Sequence, residues 1–315
     1  AGAMAIGIFA GYVFVVPGLA AVAIAGLLDV PLGTYLLYGL PIGLTTALVT
    51  TLLFRQLLRR GYWNEATDLD PDVVVEEGRP HDETEDVPQA EGAAGWPLWV
   101  RLLPILVPLV LIATGAIAGL AEFSNPVIAF LGDANIALFV GLLIAFGMVR
   151  PSLGADGVGT VLTAGFHTTG EILLVTGVGG SLGAVIAESG MDETLITLFS
   201  ADENAPVIIS ILLAWFIAAV LHFAIGSVSV GAITAAGIIS PIVGSLAVDP
   251  VVIALAIASG AMFALHVNSN FFWMFSTLLD LSTKGSLKTL TMATSLGAVV
   301  SLPLVLVASL VAAAD

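Results

Sequence analysis

Long apolar runs almost free of charge recur along this chain, and no other feature constrains its fold as strongly. A bilayer core of roughly 30 Å is crossed by about 20 apolar residues in a helix, which also satisfies its own peptide groups where no water can. Residues 1–28, 33–54, 102–120, 134–149, 171–187, 204–248, 250–279 and 289–312 form such runs. Pro17 and Gly18 interrupt the first, which reads as one span followed by a short broken or re-entrant piece. The run 204–248 is too long for one crossing and breaks most naturally at Gly226; 250–279 is also too long for one simple helix. The expected class is therefore an all-α polytopic membrane protein with about 8–10 transmembrane or re-entrant segments, some of them interrupted helices.

Composition agrees. The 315 residues are 58% hydrophobic and 10% charged, with a mean hydropathy of +1.07, which excludes an ordinary globular enzyme. The absence of cysteine removes disulfides, thiolate metal sites, iron–sulfur clusters and cysteine nucleophiles together. With 24 Asp plus Glu against 8 Lys plus Arg and a net charge of -16, no basic surface for nucleic acid is expected. The first residue is Ala and no basic leader precedes the first run, so the start reads as internal.

Residues 55–98 differ from the rest, being rich in Asp, Glu and Pro without apolar periodicity. This divides the chain into transmembrane segments at 1–54, an acidic cytoplasmic loop at 55–98 and a transmembrane transport domain at 99–315. Arg55, Arg59, Arg60 and Arg101 at the loop edges place it inside by the positive-inside rule, as do Arg150 and later Lys284 and Lys288. The segment 188–203 carries Glu188, Asp192, Glu193, Asp202 and Glu203 without a cation and falls outside. The acidic stretch at 68–72 resembles the opening of an EF-hand, but Val73 and Arg79 stand where Gly and Glu are required. A solvated linker is the reading, and its acidity fits a salt-rich cytoplasm.

Polar, Gly-rich interruptions inside apolar spans are costly unless they line a cavity or pack closely. Three occur. The run at 176–183 contains Gly177, Gly179 and Gly180, without the GxGxxG spacing because Leu182 holds the last position. The run at 224–237 contains Gly226, Ser227, Ser229 and Thr234, where a broken helix presents free N–H groups and a positive dipole end to a carboxylate. The run at 264–273 adds His266 and Asn268, polar groups that are costly to bury unpaired. Close helix packing, or a hydrogen-bonded structural histidine, is the plain alternative for each. His167 and Glu171 share a helix face but lack a second pair of ligands, so no metal is expected. No GxSxG elbow and no buried carboxylate beside His222 or His266 support hydrolase chemistry.

These segments, in this order, resemble the gluconate permease family of proton-coupled sugar-acid symporters, within the larger ion-transporter superfamily. The resemblance runs through residues 17–39, 130–145, 173–191, 218–242 and 264–291, the last two being the most specific. It implies uptake of an aldonate such as gluconate with a proton, without a cofactor, by a multi-pass protein of the cell membrane. It also implies that two inverted halves contribute interrupted helices, and a homo-oligomer is compatible with it. On matching positions it implies Gly226, Ser227, Ser229, Thr234, His266 and Asn268 as anion-site residues, with Phe272 and Trp273 packing against or facing the sugar. His222, in place of a fixed cation, joins His266 as a proton or anion-coupling residue. Pro17 and Gly18, with Gly177, Gly179 and Gly180, are further backbone-site candidates. The pattern departs from the family at Ser269, which replaces an Asp, and at Phe271, which replaces a Gly. Family members extend further at the amino end, so the chain reads as the end of a first half followed by a second. Other readings are an ion or dicarboxylate carrier, or an inactive or partner-dependent half-transporter; an enzyme is not expected.

Overall fold

The computed structural model describes residues 1–69, 96–190 apart from 122 and 124, 194, 197 and 207–312. Four helices open the chain: α1 (Gly2–Phe14), α2 (Leu19–Leu27), α3 (Leu32–Arg59) and the single turn α4 (Glu65–Asp68). Next come α5 (Leu98–Arg101), α6 (Leu103–Leu120), α7 (Pro126–Gly132) and α8 (Ala134–Glu188). The chain then forms α9 (Val207–Ile225), α10 (Val228–Ile239), α11 (Pro250–Ala261) and α12 (Asn270–Leu278). Last are α13 (Thr283–Ser286), a π-helical stretch at Leu287–Thr291 and α14 (Met292–Ala312). Among the described residues no strand forms beyond an isolated Leu69–Leu281 bridge.

Five helical segments are long and apolar enough to cross a membrane: Gly2–Leu27, Leu32–Arg59, Ala134–His167, Val207–Ile225 and Thr283–Ala312. Three shorter apolar helices, Leu103–Gly119, Val228–Ile239 and Pro250–Ala261, accompany them. The chain is thus an all-α polytopic membrane protein. Residues 1–75 with 175–315 form one compact unit, and 76–174 another.

In the first unit α11 is the core. Every residue from Val251 to Ala261 is buried, as an all-apolar helix requires. Twelve residues rise only about 18 Å, so α11 is enclosed by protein and does not span. It packs against α9, α14, α10 and α2. Its one hydroxyl at the centre, Ser259, accepts from Trp215 Nε1 at 3.0 Å on α9. The same hydroxyl lies 3.1 Å from the Ala298 carbonyl and 2.6 Å from Ser301 Oγ on α14. Three helices are thereby joined by one satisfied polar knot.

The same unit contains an ion pair that the sequence reading did not anticipate. Asp68, expected in a solvated linker, is fully buried. Its carboxylate accepts from Lys288 Nζ at 2.6 Å, the Asn64 amide at 2.8 Å and the Thr67 hydroxyl at 3.0 Å. Its carbonyl accepts from the Ser282 amide at 3.2 Å. Burial pushes the carboxyl pKa up, but the bonds from Lys288, Asn64 and Thr67 outweigh it and hold the pKa below the ordinary value. The linker composition hid this contact because the partner lies 220 residues away.

In the second unit α6 and α7 meet through glycine. A Cβ on Gly115 would lie 2.8 Å from the Gly132 Cα, and one on Gly141 would collide with Pro108. Asn125 caps α7 through the Val127 and Ile128 amides.

Two boundaries differ from expectation. α3 continues through Arg55 to Arg59, beyond the predicted end at 54. The predicted spans 134–149 and 171–187 belong to one helical element, α8, whose only non-helical backbone is at Gly154. The intervening polar residues are helix-compatible: Thr160, Thr163 and Thr169 hydroxyls bond the carbonyls four residues back, a standard way to satisfy a hydroxyl within a helix. The EF-hand-like residues 70–72, most of the 188–203 segment and the Glu171 side chain lie outside the described residues.

Candidate functional site

The break between α9 and α10 forms where the chain needs a left-handed residue. Gly226 has φ +80°, and its amide donates to the His222 carbonyl at 2.8 Å, closing α9 as glycine commonly does at a helix end. A Cβ at this position would lie 2.5 Å from the Asn268 carbonyl oxygen, so the α9–α10 break rests directly on the α11–α12 break. Asn268 Nδ2 donates to the Phe223 carbonyl at 2.8 Å, satisfying one of the terminal carbonyls that a helix end leaves free.

Both breaks restart as helices on the same side. Ser227 begins α10, its Oγ accepting from the Val230 amide at 3.4 Å and lying 3.3 Å from Ser229 Oγ. Ser269 begins α12 in extended backbone without capping through its own side chain. Residues 227–229 and 269–271 line one cavity of about 550 Å³, closed on the other side by Ile8, Phe9 and Tyr12 of α1. Tyr12 interacts with the Ser229 hydroxyl, and the Phe9 and Phe271 rings meet edge to face at 5.0 Å. No Lys, Arg, Asp or Glu lines the cavity. Each helix N-terminus carries roughly half a positive charge and amides without an acceptor in their own helix. Two such termini facing one cavity, with serine hydroxyls beside them, make a receptor for a small anion.

Of the expected site residues, Gly226, Ser227, Ser229 and Asn268 line this cavity. His222 is buried behind it, with Nδ1 2.8 Å from the Phe263 carbonyl. His266 stacks on Phe223, ring centroids 4.3 Å apart. Trp273 Nε1 donates to the Val267 carbonyl at 2.8 Å and so braces the α11–α12 connection. Thr234 lies two turns further along α10, off the cavity lining. Pro17 and Gly18 form the tight α1–α2 turn, with the Gly18 amide 2.6 Å from the Val15 carbonyl. Gly177, Gly179 and Gly180 continue α8 as helix, where a glycine costs about 1 kcal/mol without breaking the element.

Sequence reasoning missed Phe9, Tyr12 and Asn270. The signal for Tyr12 was present: it is a polar aromatic within a run free of charge, a few residues before the Pro17–Gly18 interruption.

Comparison with known proteins settles the relationship. The sequence profile of the GntP family permease matches residues 2–311. The chain belongs to the GntP permease family. Among curated relatives, the high-affinity gluconate transporter of Escherichia coli (strain K12) is 30% identical over 280 residues, 86% of this chain and 59% of that protein. The gluconate permease of Bacillus subtilis (strain 168) is 28% identical over 299 residues, 92% of this chain and 64% of that protein. A D-serine transporter of Escherichia coli (strain K12) is 30% identical over 296 residues, 91% of this chain and 62% of that protein. The chain therefore spans about three-fifths of the length of these relatives. No solved structure matches. As GntP-family members these relatives are permeases, not enzymes.

Proposed function

We propose that this protein carries a small hydroxycarboxylate, of the sugar-acid class that includes gluconate, across the cell membrane together with protons. The observation that supports it best is the convergence of the α10 and α12 N-termini on one uncharged cavity. In this reading the substrate carboxylate takes the amides at residues 228–229 and 270–271, and its hydroxyls bond Ser229, Asn268 and Tyr12. Gluconate and D-serine, the substrates in the relatives' names, both carry a carboxylate and at least one hydroxyl, the two features the cavity can bond. Two dipole ends and neutral donors attract an anion without trapping it as a fixed Lys or Arg would, which suits a site that must release its load.

The test is uptake of labelled gluconate into proteoliposomes under an inward proton gradient, with unlabelled gluconate, idonate and D-serine as competitors. Gradient-stimulated uptake, suppressed by one of these competitors, is the expected result. Uptake indifferent to both the gradient and every competitor refutes the reading.

A further inference from the structure

We propose that His222 and His266 together form a single-proton store behind the anion cavity, and that it is this store that couples proton movement to the substrate. The inference rests on the transport reading above. His222 Nδ1 lies 2.8 Å from the Phe263 carbonyl, an acceptor only, so Nδ1 bears the hydrogen and Nε2 presents its lone pair. That Nε2 is buried with no hydrogen-bond partner, and so is Nδ1 of His266. Buried polar nitrogens are almost always satisfied, and two orphans on neighbouring imidazoles mark a place that a proton, or a water carrying one, can occupy.

The two rings interact electrostatically, and His266 is the one charged or titratable group among the described residues acting on His222. α10 packs against His222 through Gly231, and the end of α11 contributes only the Phe263 carbonyl. A second proton would place like charges side by side without a counter-ion, so the pair holds one. The proton adds to the Nε2 lone pair of His222, giving the imidazolium, and leaves from the same atom to restore the neutral ring.

The store is wired to the cavity by two hydrogen bonds. The His222 carbonyl holds the Gly226 amide, and the Phe223 carbonyl, on the residue whose ring stacks on His266, holds Asn268 Nδ2. Gly226 and Asn268 are themselves cavity walls. A carboxylate in front and an imidazolium behind stabilise each other across that wall, and each leaves more easily without the other.

The experiment compares gluconate exchange, which needs no net proton movement, with gradient-driven accumulation in the same proteoliposomes, with an entrapped pH dye reporting proton flux. H222Q is expected to keep exchange within about twofold of wild type, to lose accumulation at least tenfold, and to carry no substrate-linked proton. Accumulation and proton flux at wild-type levels in H222Q overturn the proposal, as does loss of exchange in a correctly inserted protein. If H222Q does not insert, the wild type decides: one proton per anion supports the store and two overturn it. Wild-type exchange without any proton flux overturns the store and leaves transport standing, whereas absence of exchange in the wild type overturns the transport reading and the store with it.

Discussion

Gly226→Ala tests whether the contact between the two helix breaks builds the site. At φ +80° an alanine is left-handed, at a cost of about 1–2 kcal/mol. Its Cβ would also lie 2.5 Å from the Asn268 carbonyl oxygen and 2.8 Å from Asn268 Cγ. Relieving that overlap moves backbone rather than a flexible side-chain tip, and overpacking of this kind costs about 1–3 kcal/mol. The total, about 2–5 kcal/mol, is large against a usual net stability of about 5–15 kcal/mol. If about 1.4 kcal/mol of it is relieved by displacing Asn268 from the cavity wall, KM rises tenfold. The control is Gly7→Ala in α1, where a Cβ meets nothing within 4 Å and helix propensity gains up to about 1 kcal/mol. Melting in detergent and uptake KM are measured on both. Should the two variants share the same melting temperature and KM, the breaks do not support each other and the site is built otherwise.

Three further outcomes follow from named contacts. Ser259→Ala strips the Trp215 Nε1 hydrogen bond and leaves that donor in the core, for a loss of about 1–3 kcal/mol, read as lowered thermal stability with KM unchanged. Ser227→Ala removes the cap of α10 at about 1 kcal/mol and raises the uptake KM while surface expression stays normal. Asp68 has a carboxyl held below its ordinary value in the fold, so its contribution is full above the ordinary carboxylate range and lost as pH falls through the folded value. Wild type therefore keeps its melting temperature from neutral into weak acid and loses it only in stronger acid, whereas D68N starts lower at neutral pH and shows no such step.

Much of the fold was legible because a membrane leaves few choices. Backbone in hydrocarbon must be helical unless it lines a cavity, so length and charge located the spans, and Pro17, Gly18 and Gly226 located breaks that the structure contains. Legibility failed where local composition and actual environment part ways. Gly177, Gly179 and Gly180 resemble an interruption, but glycine permits a break without requiring one, and nothing packs closely enough on Gly177 to force it. Asp68 sits next to an acidic run, yet Lys288 and the Asn64 turn remove it from water. Half of the cavity was equally invisible: Tyr12 and Phe9 come from a helix more than 200 positions before the serines they face.

The sequence by itself determined that this chain crosses a membrane, where its helices break and which small polar residues stand at the breaks, since each of these follows from the cost of unsatisfied backbone in lipid. Only the tertiary structure decided that the break at Gly226 rests on the one at Asn268, turning two helix N-termini toward one cavity. That meeting depends on shape over long chain separations: a glycine without a Cβ admits a distant carbonyl, and no periodicity or composition encodes which carbonyl it is.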